Sequence, residues 1–94
     1  MKLRWTRAAR NDRDRIYAYI EIEQPEAALR LDDRFSERAS QLAAFPQLGR
    51  TGRVPGTREL SIAGSSYLLV YRVEGDLIWV VRVIHTSQAW PEEG

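Results

Sequence analysis

One histidine and a scatter of arginines are the groups in this sequence best placed to do chemistry. His85 is the only histidine, and an imidazole with a reference pKa of about 6.5 can take or give a proton near neutral pH. Arg50, Arg53, Arg58, Arg72 and Arg82 each offer a planar fork of donors that fits phosphate or carboxylate oxygens and stacks on rings such as Trp90. Together these types allow acid–base work at a phosphate, or the binding of an acidic or phosphorylated surface with no chemistry at all. Each also has a plainer reading. A histidine closing a strand can serve by donating a ring N–H to a backbone carbonyl. Arg72 and Arg82 sit at the parity of outward-facing strand residues, and either share a basic surface or pair across strands with Glu59 or Glu74. Arg50, Arg53 and Arg58 surround a flexible loop, as an anion-binding edge or as solvated charges.

The composition narrows the chemistry further. The chain has no cysteine, which removes thiolate nucleophiles, disulfides and thiolate metal ligands together. With a single histidine, a zinc site would need carboxylates for most of its ligands, so no metal and no cofactor is expected. At 44% hydrophobic and 29% charged residues, the chain is not of the disordered class. Its 94 residues fit one domain, 1–94. A net charge of +1 does not mark the whole molecule as a nucleic-acid binder. Lys2 is the only lysine among 14 basic residues, a bias that high-GC codon usage explains as readily as function does. The N-terminus lacks an apolar core of signal-peptide length, and no run approaches the ~20 apolar residues of a membrane span. A soluble, cytoplasmic protein without membrane or small-molecule partners is the expectation.

The elements that must hold these groups follow from the pattern. Lys2 to Trp5 alternates polar with apolar and reads as a short strand, after which Thr6 can cap a helix. Ala9, Ile16 and Ile20 lie on one helical face, with Tyr17 and Tyr19 flanking it. Arg10 with Asp14, and Arg13 with Tyr17, stand one turn apart on a solvated outer face. Gln24-Pro25 breaks that helix and starts a second, since proline suits the first helical position. Ala28, Leu31, Phe35, Ala39 (or Arg38), Leu42 and Phe45 form its stripe, and Pro46 ends it. The stretch from Pro46 to Thr57 is a Gly/Pro-rich loop. Three strands follow, Arg58 to Ala63, Tyr67 to Val73 and Leu77 to Ile84, separated by turns short enough for hairpins. The last two are apolar almost throughout, which predicts central strands covered on both faces. The order β-α-α-β-β-β gives an α+β domain, a helical hairpin packed on a small antiparallel sheet. A tail over 86–94 leaves the last strand and ends in Pro91-Glu92-Glu93-Gly94, expected to fray.

The string from Gly49-Arg50 through Glu59-Leu60 resembles the loop-and-strand signature of the RelE/ParE toxin superfamily. Tyr67-Leu68-Leu69-Val70-Tyr71-Arg72-Val73, Val81-Arg82-Val83-Ile84-His85 and then Gln88, Trp90 and Pro91 continue the likeness. Trp5-Thr6, Ala9, Asp12, Ile16, Tyr19-Ile20, Pro25 and Ala27-Ala28 extend it to the N-terminal half. The resemblance implies the toxin of a type II toxin–antitoxin pair, neutralised by a cognate antitoxin and associated with growth inhibition and plasmid stabilisation. RelE-like members cleave mRNA in the ribosomal A site, whereas ParE-like members poison DNA gyrase.

RNA cleavage needs a base, an acid and cations for the phosphorane charge. The second-strand positions that are basic in RelE fall here on Glu59, Ser61 and Ala63, and the arginine opening the family's Arg-Leu-Val-Tyr string is Leu68. His85 matches a histidine of some nuclease members, but Thr86 replaces the neighbouring tyrosine. If the chain is a nuclease, His85, Arg58, Arg72 and Arg82 are its catalytic candidates. Arg50, Arg53, Arg58, Arg82, His85 and Trp90 are the candidates for binding a target. The substitutions and the long hairpin favour the ParE-like branch, a toxin that binds gyrase and does no hydrolysis. A ribosome-dependent mRNA endonuclease is the alternative, and a non-toxic α+β interaction module the third reading.

Overall fold

A computed structural model describes residues 1–91 of the chain. Strand β1 (Lys2–Trp5) is followed by helices α1 (Arg7–Glu21) and α2 (Pro25–Ala44), and then by β2 (Arg50–Thr51), β3 (Arg58–Ser61), β4 (Tyr67–Glu74) and β5 (Leu77–His85). The five strands make one sheet in the order β1-β5-β4-β3-β2, with the helical pair packed on it. This is the expected α+β arrangement with two differences. The sheet is mixed, because β1 runs parallel to β5; its return path is the whole helical hairpin, long enough for a parallel crossover. The loop after Pro46 is also not wholly irregular, since Arg50 and Thr51 pair with Glu59 and Arg58 as an edge ribbon. A two-residue strand carries too little alternation to stand out from a Gly-rich loop.

The helices start as the sequence predicts. Thr6 Oγ1 accepts from the Ala9 backbone N–H at 3.1 Å, satisfying one of the donors a first turn leaves open, and Pro25 opens α2. The main core lies between helices and sheet. Ala9, Phe35, Ala39 and Leu42 meet Leu60, Leu69, Tyr71, Ile78, Val80 and Val83 there. Leu68, Val70 and Ile84 form a smaller cluster on the other face, closed by Val81 and Trp90. That face is covered at one end, while Arg72 and Glu74 further along β4 are exposed and depart from the expectation of strands covered on both faces. Phe45 departs from the predicted stripe: it caps α2 outside the helical conformation and is 64% exposed. Arg13 departs from the predicted solvated face. It forks onto Asp32 at 2.9 Å through two nitrogens and lies 4.5 Å over the Trp5 ring, tying β1, α1 and α2 together. The predicted fraying concerns residues of which 92–94 lie outside the described part.

Two strand edges are finished by arginines, three from the helices and Arg4 from β1 itself. Lys2 and Thr6 direct their N–H groups at Asp76, just before β5, and at Val80 within it, so by alternation Leu3 and Trp5 turn theirs outward. Those two carbonyls accept from Arg4 Nη1 at 3.1 Å and Arg10 Nη1 at 3.2 Å. On β3, Ser61 and the following Ala63 project carbonyls past the end of β2. They accept from Arg38 Nε at 3.3 Å and Arg34 Nη1 at 2.8 Å.

Candidate functional site

The short length of β1 sets up the first site. β1 ends at Trp5, opposite Val80, and beyond it β5 has no strand on that side. Thr6 turns the corner, its N–H donating to Val80 O at 3.0 Å and its hydroxyl to Val81 O at 2.9 Å. From α1, Asp12 then brings a carboxylate to the next open donor, with Val83 N–H donating to Oδ2 at 2.9 Å. Arg82 closes on the same carboxylate, Nε to Oδ2 at 2.7 Å and Nη2 to Oδ1 at 3.1 Å. The β-bulge that shifts the register between Val70 and Tyr71 leaves Val81 as the extra residue, and a bulge re-aims the residues beside it. Asp12 is only 3% exposed, which is tolerable because the fork and the backbone N–H satisfy its charge. The Arg82 guanidinium also lies 5.8 Å from the centre of the Trp90 ring.

His85 closes β5 beside a cleft of about 240 Å3 whose lining includes Asp12, Arg15, Ile16, Tyr67 and Gln88. Its ring meets Tyr67 edge-on at 5.2 Å. The Ser87 backbone N–H, which can only donate, lies 3.1 Å from Nδ1, and the Ser87 hydroxyl lies 2.7 Å from the same nitrogen; with Nδ1 as their acceptor, the ring N–H is on Nε2. Burial pushes the Tyr67 phenol above its ordinary pKa, with Tyr19 adding to the effect, so the hydroxyl stays a neutral donor. Nδ1 of His85 thus receives a backbone N–H, where the sequence reading had a ring nitrogen donate to a backbone carbonyl.

The other arginines gather at the opposite edge of the sheet. Glu59 is 3% exposed on β3. It takes Arg53 Nε at 3.1 Å, the Arg53 backbone N–H at 3.0 Å and Arg50 Nη2 at 3.3 Å. Burial alone would raise the Glu59 carboxyl, but the bonds from Arg53 and Arg50 outweigh it and hold the group below the usual carboxylate range. Arg58 donates to the Gly49 carbonyl at 2.8 Å. Tyr71, fully buried, anchors the same loop: its hydroxyl donates to Pro46 O at 2.7 Å and accepts from Gly49 N–H at 2.9 Å. Gly49 is required by proximity, since a Cβ there would lie 2.7 Å from Tyr71 Cε1 and 2.9 Å from Glu59 O.

A depressed carboxylate stabilises the fold above its unfolded pKa of about 4.3, and the gain is lost as pH falls through the lower folded value. Glu59→Gln is therefore expected to lower stability at pH 7, with the difference from the parent shrinking toward pH 3. Urea denaturation at the two pH values checks this; a difference that grows on acidification would refute it.

The candidates do not converge on one point. Arg82, Trp90 and His85 stand near the end of β5, whereas Arg50, Arg53 and Arg58 stand around Glu59 and Gly49. Arg72 pairs with Glu74 at 2.7 Å on its own strand. Sequence reasoning missed Asp12, the hub of the first group. Its signal was present: with Ala9 three positions before it and Ile16 four after, Asp12 occupies an apolar stripe, and an acid there must find partners. Among the described residues no group of three or more metal-capable side chains occurs, and no helix is long and apolar enough to cross a membrane.

Comparison with known proteins adds to this geometry. The family described as the ParE toxin of the type II toxin–antitoxin system parDE matches residues 3–90. The Sinorhizobium fredii protein Y4kP is 40% identical over 91 residues, which span 97% of this chain and 94% of that one. Toxin RelE3 of Caulobacter vibrioides is 35% identical over 82 residues, 85% of this chain and 88% of the relative. Among solved structures, a chain of the chromosomal ParDE system from P. aeruginosa superposes with a TM-score of 0.82 at 33% identity, covering 90% of this chain and 95% of that one. A chain of the RelBE2 complex from Mycobacterium tuberculosis, at 24% identity and a TM-score of 0.65 over 89% and 95% of the two chains, shares the fold.

Proposed function

The chain belongs to the ParE toxin family of type II toxin–antitoxin systems, and from that membership we propose that it arrests growth by binding and poisoning DNA gyrase in the cytoplasm. A cognate antitoxin neutralises it, by analogy with the toxin–antitoxin complexes to which the similar chains belong. The observation that carries the reading is how the arginines are engaged. Hydrolysis at a phosphate needs cations aimed at the developing charge. Here Arg50 and Arg53 serve Glu59, Arg58 a backbone carbonyl, Arg72 Glu74, and Arg82 Asp12. The exposed apolar residues Tyr19, Ile22 and Phe45 suit an activity that consists of binding another protein.

Purified chain is expected to inhibit gyrase supercoiling and to accumulate cleaved gyrase–DNA complexes. Unaffected gyrase, with mRNA cut at the ribosome, would turn the reading toward an endonuclease. That second reading draws on His85 beside an open cleft and on the RelE names of the Caulobacter relatives. His85→Ala separates the two, because loss of a general acid or base lowers cleavage by about 10²–10⁴-fold, whereas a binding surface that loses one of its several contacts is weakened far less. Cells that grow normally when the chain is induced alone would leave only a non-toxic interaction module.

A further inference from the structure

Apart from the hydroxyls of Tyr19 and Tyr67, which can donate or accept, the polar groups left open in the cleft between α1 and the end of β5 are donors. Asp12 is its acceptor in the floor, and Asp12 already receives Arg82 through two nitrogens, the Val83 N–H and, more distantly, Arg15 at 3.5 Å. Ser87 closes His85 Nδ1 with its backbone N–H at 3.1 Å and its hydroxyl at 2.7 Å, which leaves the Nε2 side of the ring as the donor open to a ligand. Gln88 spends its amide oxygen on the His85 backbone N–H at 3.3 Å, so the amide NH2 is the half that remains. Arg15 stands at the lip with its side chain 71% exposed. Ile16 and Tyr67 supply apolar wall between these donors. A ligand matched to this cleft must bring acceptors, and preferably a negative charge, on an apolar stem.

We propose that this cleft seats a side-chain carboxylate from an acidic segment of a protein partner. A nucleic-acid backbone has the same charge sign, but it repeats that charge and needs a track of cations to follow it. Among the described residues the cations of α1 near the cleft do not form such a track: Arg10 is spent on Trp5 O and Arg13 on Asp32, Asp14 and Glu21 on the same helix carry the opposite charge, and Arg82 is turned to Asp12. One cleft of this volume takes one carboxylate with its methylene stem. The proposal stands whether the toxin acts on gyrase or on the ribosome.

The test is an NMR titration of the full chain with an acetylated peptide of alternating leucine and glutamate. The same peptide with glutamine in place of glutamate, and a single-stranded oligonucleotide, are the comparison probes. The glutamate peptide is expected to shift the ring signals of His85 and the side-chain amide of Gln88, and Arg15→Glu to weaken its binding at least tenfold. Arg15 is exposed, so the variant should fold, and its thermal midpoint verifies that; Arg15→Gln replaces it if the midpoint falls. Equal binding of the glutamine peptide, equal shifts with the oligonucleotide, or an unchanged affinity in the Arg15 variant would each overturn the proposal.

Discussion

Replacing Asp12 with alanine is expected to destabilise this domain as severely as emptying a core position, costing on the order of 3–5 kcal/mol. The carboxylate does three jobs at once, ending an unpaired stretch of β5 at Val83, receiving the Arg82 fork and fixing α1 against the sheet. Its removal strands a buried backbone N–H and takes two charge-assisted bonds from a guanidinium that is 17% exposed. Domains of this size hold about 5–15 kcal/mol in total, and each kcal/mol moves the melting temperature by roughly 4–8 °C. The variant should therefore melt more than ~12 °C below the parent. Asp12→Asn should fall between the two, because an amide oxygen still accepts from Val83 but an amide NH2 then faces Arg82. A double variant, Asp12→Leu with Arg82→Met, should recover part of the loss, as buried ion pairs exchanged for packed apolar pairs often do. Calorimetry of the series decides it; a shift of only 2–3 °C in Asp12→Ala would mean that the carboxylate is not the hub described here.

Tyr71→Phe is expected to cost about 2–4 kcal/mol, far more than the loss of one oxygen from a surface tyrosine. The phenol is donor to Pro46 O and acceptor from Gly49 N–H, and phenylalanine leaves both unpaired, at roughly 1–3 kcal/mol each. The loss should be local before it is global. Amide exchange at Gly49 should accelerate while the β4–β5 ladder keeps its protection. Gly49→Ala attacks the same joint from the other side, driving a Cβ against the Tyr71 ring and the Glu59 carbonyl. If Gly49 exchanges no faster in Tyr71→Phe, the phenol does not anchor the loop.

Much of the architecture was legible because it rests on local signals. The Thr6 cap, the Pro25 start and the apolar runs of β4 and β5 are short-range features, and the structure returns them within a residue or two. What was not legible depends on distance in sequence. The parallel pairing of β1 links Lys2 to Leu77, and no periodicity in either strand encodes its partner's direction. Arg13 looked solvated because its neighbours on α1 are charged; its actual companions, Asp32 and Trp5, belong to other elements. The site residues follow the same division. The candidates were named by type, but their carboxylate partners were not, and Asp12 lies 70 positions from Arg82. Only the fold brings those charges together, and their pairing is what distinguishes a bound arginine from one available to a phosphate.

The arginines along the sheet margins have a consequence for assembly. An exposed strand border is a template onto which any extended chain can zip, and growth of that kind leads to swapped dimers and fibrils. Here Leu3, Trp5, Ser61 and Ala63 have their outward carbonyls covered by guanidinium groups from Arg4, Arg10, Arg38 and Arg34. An incoming strand would have to evict a charged fork at each step. Those occupied carbonyls make the two borders poorer templates for a second copy of the chain.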